Sequence, residues 1–445
     1  MRRFITKDLI KWKDNPGRKP LILQGMRQCG KTWALKEFGN TRYRNLAYIS
    51  FDKNPEYGDF FARNREPLRI IENLAIALKQ PIDPGETLLV FDEIQECPDA
   101  LASIKYFQEE QPEYHVACAG SLLGIRLKSG GSFPVGKVDF LEMFPLTLSE
   151  YLMACGDDAL LEHINGFDAI EGFPEPFRNL LHDRLRQYFI TGGMPEAVAE
   201  WLDRRDADKL ERVLTSILNA YQYDFSEHLD SSMLQIVSAI WQSLPAQLSK
   251  ENKKFKYNVM KSGASSRDYG EALVWLTDAR LVYRVARINA PGLPVSAYED
   301  PDAFKLYAAD VGLLRRLSDL DMGVFAQGST LFTGFKGSLT ENFVLQSLVA
   351  TVGAPLRYWS ITNPNHEVDF IMQSGMDIIP IEVKAGAESK GKGLGAYKRR
   401  YPDQTALRVR YSLLNLNLTD DLLNIPLYLI DQTPRLIKLA LATLR

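Results

Sequence analysis

The chain has 445 residues, 45% hydrophobic and 24% charged, with 53 Lys and Arg against 56 Asp and Glu for a formal charge of −3. That length exceeds what one core usually supports, so two to four domains are expected, and the near-neutral balance excludes a uniformly basic nucleic-acid coat while allowing local basic patches. Four scattered cysteines (Cys29, Cys97, Cys118, Cys155) make no disulfide framework or zinc spacing, and no signal peptide or apolar run of about 18 residues is found, so a cytoplasmic protein without a membrane segment is expected.

Residues 1 to 20 read as a short helix around Asp8–Trp12 followed by a turn at Asn15-Pro16-Gly17. An apolar strand, Leu21-Ile22-Leu23, then runs into Gly25-Met26-Arg27-Gln28-Cys29-Gly30-Lys31-Thr32, a full match to G-x-x-x-x-G-K-[ST]. The two glycines let the backbone wrap a polyphosphate with its N–H groups pointing inward, and Lys31 brings a mobile positive charge to the outer phosphates. Thr32 opens a helix whose positive end faces the anion, and its hydroxyl suits a Mg²⁺ ion carried by the nucleotide. Cys29 reads most simply as a loop filler.

Asn45–Phe51 reads as a second strand, Leu68–Leu78 as a helix, and Thr87-Leu88-Leu89-Val90-Phe91-Asp92-Glu93 as a buried parallel strand that delivers two acids to its C-terminal edge. Asp92 is the expected Mg²⁺ holder through water, and Glu93 is placed to orient or deprotonate the attacking water. Ser103–Glu109 continues as helix, and Tyr114–Ser121 is a fourth strand. Ser121 either senses the γ-phosphate beside those acids or caps the helix that follows. Alternating strands and helices imply an α/β fold on a parallel sheet.

The phosphate loop, Phe91-Asp92-Glu93-Ile94-Gln95, Ala119-Gly120-Ser121, Phe133-Pro134-Val135-Gly136-Lys137 and Met143–Tyr151 together resemble prokaryotic AAA-type ATPases fused to a C-terminal domain of unknown function. These are related to the archaeal ATPases of the signal-transducing P-loop class, and the resemblance spans almost the whole chain. Where those relatives carry Gly-Arg, this chain has Gly136-Lys137, so an arginine-finger role does not transfer directly. Lys137 is a less directional substitute because a point-like ammonium lacks the bidentate fork, and Arg126 is the other cation in reach. The resemblance also implies that Pro195, in Gly192-Gly193-Met194-Pro195, packs against the adenine from a helical lid. The double glycine before proline is equally the sign of a helix that stops and restarts.

Residues 151 to about 230 read as that helical lid, after an ATPase core over 1–150. From 231 to 325 the order is helix, the basic-aromatic stretch Asn252–Tyr257, a second helix from Ser265, then strands at Leu281–Ala286 and Phe304–Asp310. That is the order of a winged helix, and family members look alike here. Lys253, Lys254, Lys256, Lys261 and Arg267 suit phosphate contacts, while a rigid arm against the ATPase explains the same fold.

The last domain, 326–445, places Glu341 on a helix ahead of three strands at Leu356–Trp359, Glu367–Met372 and Ile378–Lys384. Asp369 followed by Glu382-x-Lys384 is the pattern of the PD-(D/E)xK nuclease fold, and i, i+2 alternation puts Glu382 and Lys384 on one strand face. Asp369 and Glu382 would hold a divalent cation, Lys384 would position water or stabilise the phosphorane, and Glu341 would be the fourth member. A buried Asp-Lys-Glu network that merely holds the sheet is the competing reading.

The sequence thus leads to an ATP- and Mg²⁺-dependent P-loop ATPase whose nucleotide state controls a winged helix and a restriction-endonuclease-like α/β domain acting on DNA. The alternative is a switch whose C-terminal domain binds DNA or a protein partner without cutting. Homo-oligomerisation is compatible with either.

Overall fold

Apolar runs, rather than alternating patterns, form the first sheet. Strands β1 (Leu21–Gln24), β2 (Asn45–Ser50), β3 (Thr87–Asp92), β4 (His115–Ala119) and β5 (Asp139–Glu142) lie in the order β2-β3-β4-β1-β5, and every pairing is parallel. All residues of β3 and β4 are buried, which is why both read as apolar stretches, β3 ending on Asp92. Ile22, Ile49, Phe91, Val116 and Cys118 meet in the core with Ile70, Leu74, Ile104 and Phe107 from the helices Pro67–Leu78 and Pro98–Glu110. β5 was not expected as a strand. Its sequence, Asp139-Phe140-Leu141-Glu142, is nowhere fully buried and gives no apolar run to read.

The computed structural model describes residues 1–120, 134, 136–250, 253–260, 266–327, 333–361, 366–386 and 392–445. The expectations for Ser121, Arg126, Lys261 and the Arg267 side chain lie outside the described residues. The chain divides into two compact units, Met1–Pro145 with Asp278–Arg280, and Leu146–Thr277 with Leu281–Arg445.

In the second unit the segment expected as a lid is helical, through Leu148–Ala154, Asp158–Gly166, Glu175–Thr191, Pro195–Arg204 and Ala207–His228. Thr147 starts it with a capping box: its Oγ1 accepts from Glu150 N at 3.2 Å, and its own N–H donates to Glu150 Oε2 at 3.0 Å. These helices are tied to the C-terminal residues of the same unit. Ser149 N donates to Asp431 Oδ2 at 2.7 Å, Phe173 N to Asn415 Oδ1 at 2.9 Å, and Arg435 Nη2 to Ile164 O at 2.8 Å.

The two strands expected as a wing are instead part of a larger sheet. β6 (Val282–Ile288), β7 (Glu299–Ala308), β8 (Arg357–Ser360), β9 (Glu367–Ser374), β10 (Asp377–Val383), β11 (Arg408–Ser412), β12 (Asn417–Thr419) and β13 (Leu422–Pro426) follow the order β12-β13-β11-β10-β9-β8-β6-β7. β6 and β7 pair antiparallel as a wing would, but β6 also pairs parallel with β8 through Ala286↔Arg357 and Ile288↔Trp359. The cut expected at 325/326 therefore runs through one mixed sheet. The physical reason is burial: all six residues from Ala303 to Ala308 are buried, whereas a wing keeps one face in water. Ile288 accordingly shares a core with Trp359, Val368, Ile371 and Tyr397.

Candidate functional site

The phosphate loop joins β1 to the helix Lys31–Arg42, and its shape follows from its small residues. A Cβ on Gly25 would lie 2.2 Å from the carbonyl oxygen of Met143, so only glycine fits there. Gly30 takes φ 98°, in the left-handed region that glycine enters at little cost. Cys29 is fully buried with its Sγ 3.5 Å from the same Met143 carbonyl, consistent with a filler. Arg3, itself buried, donates to Cys29 O at 2.9 Å and to Phe144 O at 2.6 Å, which fastens the back of the loop to the segment beside β5. Arg27 and Gln28 are exposed, Met26 is buried, and Gln28 takes φ 65°.

Lys31 Nζ donates to the carbonyls of Gly25 and Met26, both at 3.0 Å, so the ammonium is folded over the loop's mouth. Thr32 Oγ1 lies 2.9 and 3.1 Å from the two carboxylate oxygens of Asp92, which joins the two halves of the site across 60 residues of sequence. Tyr48 OH, from β2, donates to Asp92 Oδ2 at 2.6 Å. Burial, and then the Asp92 carboxylate, push the Tyr48 phenol well above its ordinary range, so it remains a donor. Glu93 follows β3 with φ 51°, and Gln95 Nε2 donates to its Oε2 at 2.5 Å. Lys137 Nζ pairs with Glu109 Oε1 at 2.9 Å. Pro195, in the second unit, opens the helix Pro195–Arg204 after the Gly192-Gly193 break.

The donor set at the loop fits a nucleotide-borne Mg²⁺: a hydroxyl and a carboxylate already in contact, both hard oxygen ligands, beside a lysine. The C-terminal acids meet protein donors, while Glu382 Oε2 is buried without a hydrogen-bond partner. The β9–β10 pairing ends at Ile381↔Phe370, next to Glu382 and Asp369. Asp369 Oδ2 accepts from Val383 N at 2.7 Å, and Glu382 Oε1 pairs with Lys384 Nζ at 2.8 Å. Glu341 accepts from Lys253 and Tyr307 and lies 3.3 Å from Lys305 Nζ, which is also 2.6 Å from Glu367 Oε1.

Burial alone would raise the Glu341 carboxyl, but Lys253 and Lys305 hold it well below the usual carboxylate range. Burial and the Glu341 charge push the Asp369 carboxyl up. Burial would lower the Lys305 ammonium, yet Glu341, Glu367 and Asp369 outweigh it and raise it above the ordinary lysine range. Lys305 thus places a buried positive charge between Glu341 and Glu367. Among the described residues no group of three His, Cys, Asp or Glu side chains is arranged to hold a metal ion.

Lys305 and Tyr48 were both missed in the sequence. The signal for Lys305 was one charged residue in the apolar run Ala303–Ala308, which demands a buried counter-charge. Tyr48 gave no separate signal, because a tyrosine inside an apolar strand reads as packing.

A family model described as an AAA domain matches residues 17–152, and two domains of unknown function, DUF8612 and DUF4143, match 182–323 and 336–429. No curated protein matches the chain. Among solved structures, a Walker-type ATPase of Pyrococcus abyssi matches at 14% identity and TM-score 0.44, covering 71% of this chain and 95% of that one. The ORC2 protein of Aeropyrum pernix in its ADP form matches at 12% identity and TM-score 0.28, covering 73% and 92%. Cdc6p of Pyrobaculum aerophilum matches at 14% and 0.26, covering 73% and 93%. No helix among the described residues is long and apolar enough to cross a membrane. Residues 17–152 carry an AAA domain, and its parallel sheet presents the Gly25–Thr32 loop and Asp92 at one site.

Proposed function

We propose that the chain is an ATP-hydrolysing P-loop ATPase that works as a nucleotide-dependent switch, with the second unit as its output. The observation that carries this reading is the Thr32–Asp92 contact at 2.9 Å beside the Lys31 ammonium. Backbone N–H groups of the loop would cradle the polyphosphate, and Lys31 would turn from the Gly25 and Met26 carbonyls to its outer oxygens. Thr32 and Asp92 would hold Mg²⁺, which when bound neutralises charge on the phosphate oxygens. Glu93, its carboxylate held by Gln95, would orient the attacking water and take its proton. Pro195 as an adenine contact belongs to the same proposal and rests on the resemblance alone. So does any part played by Ser121.

For the output, the Lys305 ammonium inside the acid cluster favours binding without cutting over a metal-dependent nuclease. The ligand of the second unit is DNA or a protein, with Lys253, Lys254 and Lys256 the expected phosphate contacts that lie among the described residues. Lys253 is already paired with Glu341, which leaves it a lesser part in such contacts.

Equilibrium binding of a fluorescent ATP analogue tests the first claim. Wild type should bind in the micromolar range with Mg²⁺ present, and Lys31→Ala should lose at least about tenfold, or about 1.4 kcal/mol. Equal binding by the two proteins would remove the loop as the nucleotide site.

A further inference from the structure

We infer that Tyr48 is a positioning residue for the metal-holding carboxylate, keeping Asp92 aimed at Thr32 when the threonine hydroxyl turns away from it. The inference rests on the ATPase reading of the Gly25–Thr32 site and extends it to a residue outside both sequence motifs.

The argument begins with donors. Asp92 is buried at the end of β3, and its carboxylate accepts from Thr32 Oγ1 and Tyr48 OH. Thr32 has a single hydroxyl proton. A threonine oxygen that ligates a cation directs its lone pair at the metal, and its contact with Asp92 is then rearranged. Tyr48 OH, at 2.6 Å from Oδ2, stays on the carboxylate throughout, and Oδ1, 3.1 Å from Thr32 Oγ1, is the oxygen that carries no tyrosine hydrogen bond.

The phenol is itself seated from two sides. β2 pairs with β3 in the register Tyr48↔Val90 and Ser50↔Asp92, so the ring stands two residue pairs from the carboxylate along the neighbouring strand. Lys36 Nζ lies 3.6 Å from the centre of the Tyr48 ring, a cation–π contact. Lys36 follows Thr32 by one helical turn, so one face of the helix Lys31–Arg42 carries both the hydroxyl on Asp92 and the cation on Tyr48.

The test is the effect of Mg²⁺ on nucleotide affinity in Tyr48→Phe, which removes one oxygen and keeps the ring. In wild type, a fluorescent ADP or ATP analogue should bind more tightly with Mg²⁺ than with EDTA. In Tyr48→Phe that enhancement should shrink by about tenfold, the scale of one hydrogen bond to a charged group, while affinity in EDTA stays the same. The Mg²⁺ concentration for half-maximal ATP turnover should rise in parallel, with the thermal midpoint of unfolding little changed. A purely structural Tyr48 would lower the midpoint and leave the Mg²⁺ enhancement intact, which overturns the inference. Should Tyr48→Phe not fold, Lys36→Gln loosens the ring and should reduce the enhancement in the same direction; an unchanged value there also overturns it. Wild-type binding indifferent to Mg²⁺ would remove the metal assignment of Thr32 and Asp92, and this inference with it, while Lys31→Ala would still report on the loop itself.

Discussion

The Lys305 ammonium lies 2.6 Å from a carboxylate oxygen of Glu367 and 3.3 Å from one of Glu341, on a strand whose neighbouring residues are all buried. Removing one member of such a network leaves the others charged and unpaired, typically at a cost of about 3–5 kcal/mol. Lys305→Met should destabilise the second unit by that order in chemical denaturation, and Lys305→Met with Glu341→Gln should recover part of the loss. A single substitution within about 0.5 kcal/mol of wild type would show the cluster to be solvated rather than buried.

The same ammonium bears on DNA chemistry. Plasmid and linear DNA should remain uncut in Mg²⁺ or Mn²⁺, with or without ATP, and any DNA affinity should fall with salt and survive Asp369→Ala. Cleavage abolished by Asp369→Ala or Lys384→Ala would reverse this part of the account.

Asp310 gives a pH dependence with a definite sign. It is fully buried, its carboxylate accepts from Gly193 N at 2.6 Å and Leu313 N at 2.9 Å, and burial outweighs these bonds to raise its carboxyl to about 6. A folded pKa above the unfolded value of 3.8 means the folded state holds the proton more tightly. The associated stability is complete below about pH 4 and is lost as pH rises through about 6, by about 3 kcal/mol. Asp310→Asn, which does not titrate, should therefore gain on wild type between pH 4 and 7 in urea denaturation, whatever its offset. A gap independent of pH would mean that the carboxyl titrates normally.

How much of this was legible in the sequence differs by site. Gly25, Gly30, Lys31 and Thr32 stood at fixed spacing because the loop is built by contiguous residues, and the acids ending β3 announced themselves after an apolar run. β6 and β7 were legible as a hairpin for the same local reason. Their parallel partner β8 was not, since Ala286↔Arg357 is a non-local pairing that no period records. The partners of Lys305 lie 36 and 62 residues away, so the chain disclosed a buried charge but not what neutralises it. The Gly192-Gly193 break is legible as a helix stop, but a second constraint on it is not. A Cβ on Gly192 would lie 2.1 Å from Asp310 Oδ1.

The close approach of Met143 to Gly25 makes a sharper test of the loop than removal of a charge. Gly25→Ala would drive a methyl group to 2.2 Å from a backbone oxygen, so the loop must move. Nucleotide affinity should drop at least about tenfold while circular dichroism stays native. Unchanged affinity would show that the loop has slack at this point.

Steady-state ATP hydrolysis by wild type and Glu93→Gln, with binding of a fluorescent ATP analogue followed in the same samples, bears most directly on the central claim. The account predicts turnover in wild type and a loss of about 100-fold in Glu93→Gln with ATP affinity retained, the signature of a removed general base. Turnover that survives Glu93→Gln unchanged, or folded wild-type protein that binds ATP and never hydrolyses it, would contradict it.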